Sequence, residues 1–168
     1  MEEKPEFEAF FRYWRPQLHR ILSWYEPDKS LIEDAAQETL ISAYRYWETL
    51  SCKENQRAWL FKIARQRLSD ERQRRRAEAL CGEITEGRAG QARDSPDTNA
   101  VDDRLEIVQH VRKLPEHQIA PVVLHFYGFS DKEIAEITSL SPASVRTYRS
   151  RGLRTLKQLA PPLEGGGS

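Results

Sequence analysis

The chain is poor in cysteine. Its 168 residues hold two, Cys52 and Cys81, outside any C-x-x-C pattern and too few for a disulfide framework. They read as two unpaired thiols in a reducing cytosol. No run approaches 18 apolar residues, which excludes a membrane-spanning helix and any membrane insertion. The acidic start MEEKPEFEAF has no apolar h-region of a secretory signal, so the chain reads as cytoplasmic. An excess of charge is missing too: 26 Lys and Arg balance 26 Asp and Glu, a total that by itself argues against a nucleic-acid binder. What the chain does have is 39% hydrophobic and 10% aromatic residues, including four Trp, enough for a core and too much for a disordered chain.

Divided into segments, the neutral total breaks apart. Glu26 to Glu38 holds five acids and one base, a net of −4. Arg57 to Arg76 holds eight bases and two acids, a net of +6, and Val145 to Lys157 holds five bases and no acid. Screening acts over roughly 8 Å at physiological salt, so a local patch acts locally whatever the sum. Two basic surfaces far apart in the chain suit two phosphate-contacting modules.

Hydrophobic spacing predicts helices throughout and no strand, hence an all-α fold. Phe7, Phe10, Phe11, Trp14, Leu18, Ile21 and Leu22 mark a helix over 6–25, with a kink or break expected at Pro16. Ser30-x-x-Glu33 has capping-box spacing and is expected to start a second helix, with Leu31, Ala35, Leu40, Ala43, Tyr44 and Trp47 on one face. A polar loop, Ser51 to Gln56, leads into a third helix ending in the run Arg72 to Arg76. Residues 79–103, with three Gly, one Pro, six acids and no aromatic, read as a flexible linker between two small helical domains, 1–78 and 104–160. In the second, Leu114-Pro115 opens a helix with a possible kink at Pro121, and Gly128 ends it. Ser130-x-x-Glu133 is another capping box, Thr138-Ser139-Leu140 a turn, and Ser141-Pro142 a strong start for a last helix turning Val145, Leu153, Leu156 and Leu159 inward.

Ser130 to Leu156 thus has helix-turn-helix architecture: a short capped helix, a tight turn, then a basic helix. Such a second helix presents its early side chains to base edges in the major groove and its basic residues to phosphates. Ala143, Ser144, Arg146, Thr147 and Arg149 suit the first task; Arg151, Arg154 and Lys157 suit the second. Around the first basic stretch lie Tyr44, Tyr46, Trp47, Trp59 and Phe61; most belong in a core, but one or two exposed rings beside a basic groove would suit unpaired bases. Glu33, Asp34, Gln37 and Glu38 lie along one helical surface. None of His19, His110, His117 or His125 is near them in sequence, so no catalytic, metal or cofactor constellation is expected. A solvated helix start and a docking surface for a basic partner both remain open on spacing alone.

Glu33-Asp34-Ala35-Ala36-Gln37-Glu38-Thr39-Leu40, followed by Ala43-Tyr44-Arg45, resembles the E-D-x-x-Q-E-[TA]-[FL] signature of extracytoplasmic-function (ECF) sigma factors of the sigma-70 family. Arg57-Ala58-Trp59-Leu60-Phe61-Lys62-Ile63-Ala64-Arg65, then Asp70 and the Arg run, resembles their next segment. Leu114-Pro115-Glu116 onward, Ser130 to Ile137 and Pro142 to Thr147 resemble their second domain, so the likeness covers roughly residues 7–160 in the family's order. The resemblance implies a sigma-2-like helical bundle and a sigma-4-like helix-turn-helix domain in a non-enzymatic subunit that directs core RNA polymerase to promoters. Asp34, Gln37 and Glu38 would then bind core polymerase. Arg57, Lys62, Arg65, Gln66 and Arg67 would recognise and melt the −10 element, with Trp59 more a core residue, and would hold single-stranded DNA there. Ala143, Ser144, Arg146, Thr147, Arg149 and Arg151 would read the −35 element as duplex. An anti-sigma factor is the implied regulatory partner.

The chain departs from the family's pattern at a few positions. Gln66 stands where Asn is usual, Tyr148-Arg149 replaces Arg-Leu, and Gly152 stands where Ala is common, at a cost of about 1 kcal/mol in helix propensity. Residues 161–168, Pro161 to Ser168, match no family feature and read as a disordered tail with the composition of an added linker. The competing reading is a self-sufficient helix-turn-helix regulator that binds duplex DNA without polymerase. A metal-dependent nuclease built on the carboxylates is a distant third.

Overall fold

The structure, a computed structural model, describes residues 4–81 and 99–159, the side chains of residues 99–105 excepted. The described residues form eight helices and no strand, and the chain falls into two compact units, the first 93 residues and the remainder. The all-α expectation holds. Residues 82–98, most of the expected linker, and the tail from 160 onward lie outside the described residues.

The first unit contains α1 (Pro5–Leu22), α2 (Lys29–Arg45), α3 (Trp47–Ser51) and α4 (Gln56–Cys81). Proline at the first position and Glu6 and Glu8 in the first turn start α1, and Arg20 lies in its last turn, each charge matched in sign to the helix dipole. It runs uninterrupted through Pro16, so no break occurs there. Pro16 and Arg12 are both exposed, and the Arg12 carbonyl that loses its donor can turn to water instead.

The start of α2 also differs from expectation. Asp28, not Ser30, is the N-cap, and its carboxylate accepts from the Ser30 backbone N–H at 2.9 Å. Ser30 therefore sits inside the first turn, and its Oγ accepts instead from Arg75 at 2.9 Å. Trp47 begins the separate short helix α3 and is buried there, rather than extending α2. Asn55 accepts from the Ala58 N–H at 3.2 Å and starts α4.

The core of this unit joins large side chains to small ones. Leu18, Leu60 and Phe61 are buried among Ala35, Ala43, Ala58 and Ala64, which let α2 and α4 approach closely. Phe7, Phe10, Trp14, Tyr44, Trp47 and Phe61 form a chain of edge-on and tilted rings that fastens α1 to the rest. Beyond Leu68, α4 buries nothing yet continues to Cys81. The expected boundary at residue 78 is thus overrun, because Ala77-Glu78-Ala79-Leu80 are strong helix formers and the first glycine comes only at position 82.

The second unit contains α5 (Asn99–Arg112), α6 (Glu116–Phe126), α7 (Asp131–Thr138) and α8 (Pro142–Leu159). Because α5 starts at Asn99, helix also enters the far end of the expected linker. Pro121 is buried within an unbroken α6, and the turn after that helix carries Gly128 at φ +86°. The Ser130/Glu133 capping box forms in full. Ser139 closes α7 in the left-handed region, φ 59°, and makes the sharp turn into α8. Ser141 Oγ accepts from the Ser144 N–H at 3.1 Å as the N-cap ahead of Pro142.

One expectation for α8 fails. Val145 is buried, but Leu153 and Leu159 are 39% and 44% exposed, whereas Gly152 is buried. The inward stripe is Val145, Arg149, Gly152 and Leu156, spaced four, three and four, which places Leu153 off the face. Gly152 also takes on a different meaning. A Cβ there would lie 2.6 Å from Val122 Cγ2 and 3.5 Å from Gln118 Cβ, so the missing methyl lets α8 lie against α6.

Candidate nucleic-acid and docking surfaces

α2 and α4 run antiparallel, and two contacts define their register. Arg67 Nη2 donates to Ser42 Oγ at 3.2 Å, and two turns further along α4 Arg75 Nη2 donates to Asp34 Oδ2 at 3.0 Å. The acidic segment read from the sequence thus folds directly on the basic one. Arg75 Nη1 also pairs with Asp28 at 3.1 Å. Arg72 Nε pairs with Glu26 at 2.7 Å while its Nη2 donates to the Tyr25 carbonyl at 2.8 Å. The Glu26 side chain is only 10% exposed, and Arg72 is its cationic partner. Arg74 pairs with Glu71 along the helix. The role of Glu26 escaped sequence reasoning; the signal was the matched opposite charge of segments 26–38 and 57–76.

The docking candidates are therefore split. Asp34 is half-buried and engaged by Arg75, while Gln37 and Glu38 are exposed. Gln37 lines a groove of about 750 Å³ between α1 and α2, with Phe7, Phe11, Leu40, Ile41 and Tyr44 as its apolar surface and Arg15, His19, Glu33 and Arg45 as its polar one. Burial there lowers the pKa of His19, Arg15 lowers it further, and Glu33 opposes both.

Along α4, Lys62 and Gln66 are exposed and Arg57 and Arg65 half-buried. Arg67 is directed at α2, its Nε buried without a hydrogen-bond partner among the described residues. Trp59, expected in the core, is half-buried and meets the 61% exposed Tyr46 edge-on, with centroids 6.5 Å apart.

On α8, Ala143, Arg146, Thr147, Ser150, Arg151 and Arg154 are exposed along one broad stripe. Ser144 is half-buried and bonded to its cap, Ser141. Arg149 is not on the stripe: it pairs with Asp131 of α7. Ser150 was missed, although it lies three and seven residues from Thr147 and Ala143 and shares their face. Among the described residues no group of His, Cys, Asp and Glu side chains could hold a metal ion. No helix is long and apolar enough to cross a membrane, again among the described residues.

Family models for sigma-70 region 2 and sigma-70 region 4 match residues 10–78 and 104–156. The ECF RNA polymerase sigma factor SigL of Mycobacterium tuberculosis is 30% identical over 138 residues, 79% of this chain and 78% of the relative. The ECF RNA polymerase sigma factor SigX of Bacillus subtilis is 27% identical over 166 residues, 94% of this chain and 84% of the relative. In fold, the chain is similar to the sigma factor RpoE of Bartonella quintana, solved with the anti-sigma factor NepR. That likeness has a TM-score of 0.74 at 23% identity, over 93% of this chain and 97% of the other. CnrH, solved with the cytosolic domain of CnrY, gives a TM-score of 0.67 at 19% identity, over 94% of this chain and 88% of the other.

Proposed function

The chain belongs to the ECF RNA polymerase sigma factors of the sigma-70 family, which direct the polymerase to promoters for transcription initiation, and on that premise we propose which surfaces do the work. The division of labour follows the two helical units, with the segment between α4 and α5 as the tether that lets two modest DNA contacts act together through effective concentration. Core polymerase docks on the outer edge of α2. Glu38 and Gln37 make the contact, Asp34 lies beside them, and the α1–α2 groove extends the surface.

Recognition and melting of the −10 element fall to the first half of α4, through Arg57, Lys62, Arg65 and Gln66. Tyr46 and Trp59 offer ring faces on which an unpaired base can stack. Arg67, turned to Ser42, braces that surface from behind. The −35 duplex is read by α8 through Ala143, Arg146 and Thr147, with Arg151 on the phosphates and Ser144 fixing the helix start. The exposed, acid-free stripe of α8 is the observation that carries this reading. Net neutrality then keeps the free subunit from coating DNA before polymerase arrives. An anti-sigma factor is the regulatory partner to seek, because the structurally similar RpoE of Bartonella quintana was solved with one.

Run-off transcription with core enzyme on promoter fragments from the native host tests the reading. Glu38→Lys, at an exposed position, should abolish polymerase binding without disturbing the fold. Tight, specific duplex binding by the chain alone, indifferent to Glu38→Lys, would sink the proposal in favour of a stand-alone regulator. Co-purification from the host, scored for polymerase subunits and a small inhibitor, tests the partners.

A further inference from the structure

Two adjacent positions where this recognition helix departs from the family pattern, Tyr148 and Arg149, both turn away from the exposed stripe. Tyr148 stacks edge-on against His117 in the first turn of α6, with centroids 4.6 Å apart. Arg149 pairs with Asp131 in the first turn of α7. At 100° per residue, Tyr148 and Arg149 lie on opposite sides of the line through Val145 and Gly152, the two buried positions of α8. One contact therefore restrains rotation of α8 toward α6 and the other toward α7. Between them, Gly152 brings the axis so close to Val122 that the helix has little room to slide.

We propose that Tyr148 and Arg149 are positioning residues which set the roll of α8 and thereby choose the side chains that read the −35 duplex. The inference rests on the assignment of α8 to that element. A purely apolar seam tolerates small rotations because its contacts have no direction. An ion pair and an edge-on ring contact do have direction. A roll of about 20° on a helix of roughly 5–6 Å radius moves side-chain tips by about 2 Å, more than a hydrogen bond to a base edge allows. In the observed roll, Ala143, Thr147, Ser150 and Arg154 occupy the centre of the outward face, with Arg146 and Arg151 on its flanks. Ser150 thus joins the base-reading positions, and Arg149 leaves them.

Holoenzyme assembled from the full chain and core polymerase is used to select from promoter duplexes randomised over the −35 element. Affinity and salt dependence are then measured on the selected duplex. Arg149→Ala and Asp131→Ala should shift the selected sequence in the same way and weaken binding to the wild-type choice by roughly tenfold. The slope of log affinity against log salt should not change, because no phosphate contact is lost. Tyr148→Phe, which keeps the ring, should retain the wild-type preference, while Tyr148→Ala should not. The exchange Asp131→Arg with Arg149→Asp should recover part of the preference.

A slope reduced by about 0.9 in Arg149→Ala, the value for one lost phosphate contact, would overturn the proposal. So would an unchanged preference in Asp131→Ala, which decides the matter if Arg149→Ala fails to fold in thermal melts followed by circular dichroism. Failure of the underlying assignment is distinguishable: Arg146→Ala would then alter neither preference nor slope.

Discussion

α4 and α8 are the two basic helices, and on charge alone they look alike. Their cations are used differently. On α4, Arg67, Arg72, Arg74 and Arg75 are each bonded within the first unit, to Ser42, Glu26, Glu71, and Asp28 with Asp34. On α8 only Arg149 is paired, among the described residues, and Arg146, Arg151, Arg154 and Lys157 are exposed. The first helix uses much of its charge to attach itself to α2; the second is attached by close packing through Gly152 and leaves four of its five cations exposed. A count of basic residues therefore overstates the cationic surface of one helix and describes the other well.

The largest effect expected from breaking that difference is at Arg72. Removing it takes the cationic partner from the nearly buried Glu26 carboxylate, which keeps the Asp28 N–H at 3.1 Å, and one donor from the Tyr25 carbonyl. Loss of one partner from a buried pair costs about 3–5 kcal/mol, and the partly exposed Arg72 side chain places Arg72→Ala near the lower end, about 3 kcal/mol. All four tryptophans, Trp14, Trp24, Trp47 and Trp59, lie in the first unit, so fluorescence reports its unfolding selectively. The loss should appear there as a lower denaturant midpoint. An unchanged midpoint would mean that α4 is not held by its charges.

The corresponding test on α8 is Gly152→Ala. Helix propensity alone predicts a gain of about 1 kcal/mol. Forcing a methyl to 2.6 Å from Val122 Cγ2 costs more, about 1–3 kcal/mol for overpacking, so a net loss of about 1 kcal/mol is expected. It should appear in circular dichroism and leave the tryptophan transition unmoved. Adding Val122→Ala should make the Gly152→Ala step favourable, since the clashing methyl is gone. A stabilised single variant would show that α8 sits less tightly than its glycine suggests.

These two helices also show what could be read in the sequence. Periodicity was enough for the helical class, the caps at Ser130 and Ser141, and the exposed early positions of α8, because each depends on neighbours three or four residues away. Pairing was not legible in the same way. Arg72 meets Glu26, 46 positions earlier, and a short-range pattern cannot distinguish a cation bound across a helix pair from one facing water. Asp28 displaced Ser30 as a cap for a related reason, since Arg75 supplied Ser30 with another partner. For Arg149 the local signal was present: it stands four residues after Val145 and three before Gly152, on the buried face.

A smaller effect, of a different kind, comes from Arg75 set against Arg151. Arg75→Ala breaks part-exposed pairs with Asp28 and Asp34 and should cost about 1 kcal/mol in the first unit. It should leave the salt dependence of promoter binding by the holoenzyme unchanged. Arg151→Ala, at the position proposed to meet a phosphate, should do the reverse, sparing stability and lowering the slope by about 0.9. Should Arg75→Ala lower the slope, α4 would be presenting more of its charge to DNA than its internal pairs imply.

The smallest expected effect is the pH response of the first unit, at His19. Burial in the α1–α2 groove lowers its pKa in the folded state, and Arg15 adds to this more than Glu33 offsets. The unfolded chain, with an ordinary histidine near 6.5, therefore binds the proton more readily, and stability must rise with pH through that window. As pH falls from neutral through 6.5 towards the lower folded value, the first unit should lose stability. Below that value the loss should level off. His19→Gln, neutral at every pH, should flatten this segment of the tryptophan-detected stability curve. Because the same groove is proposed to extend the polymerase-docking surface, a partner that covers it would deepen the desolvation of His19. Acidification should then weaken docking of the wild type more than that of His19→Gln, and equal weakening would place the partner off the groove.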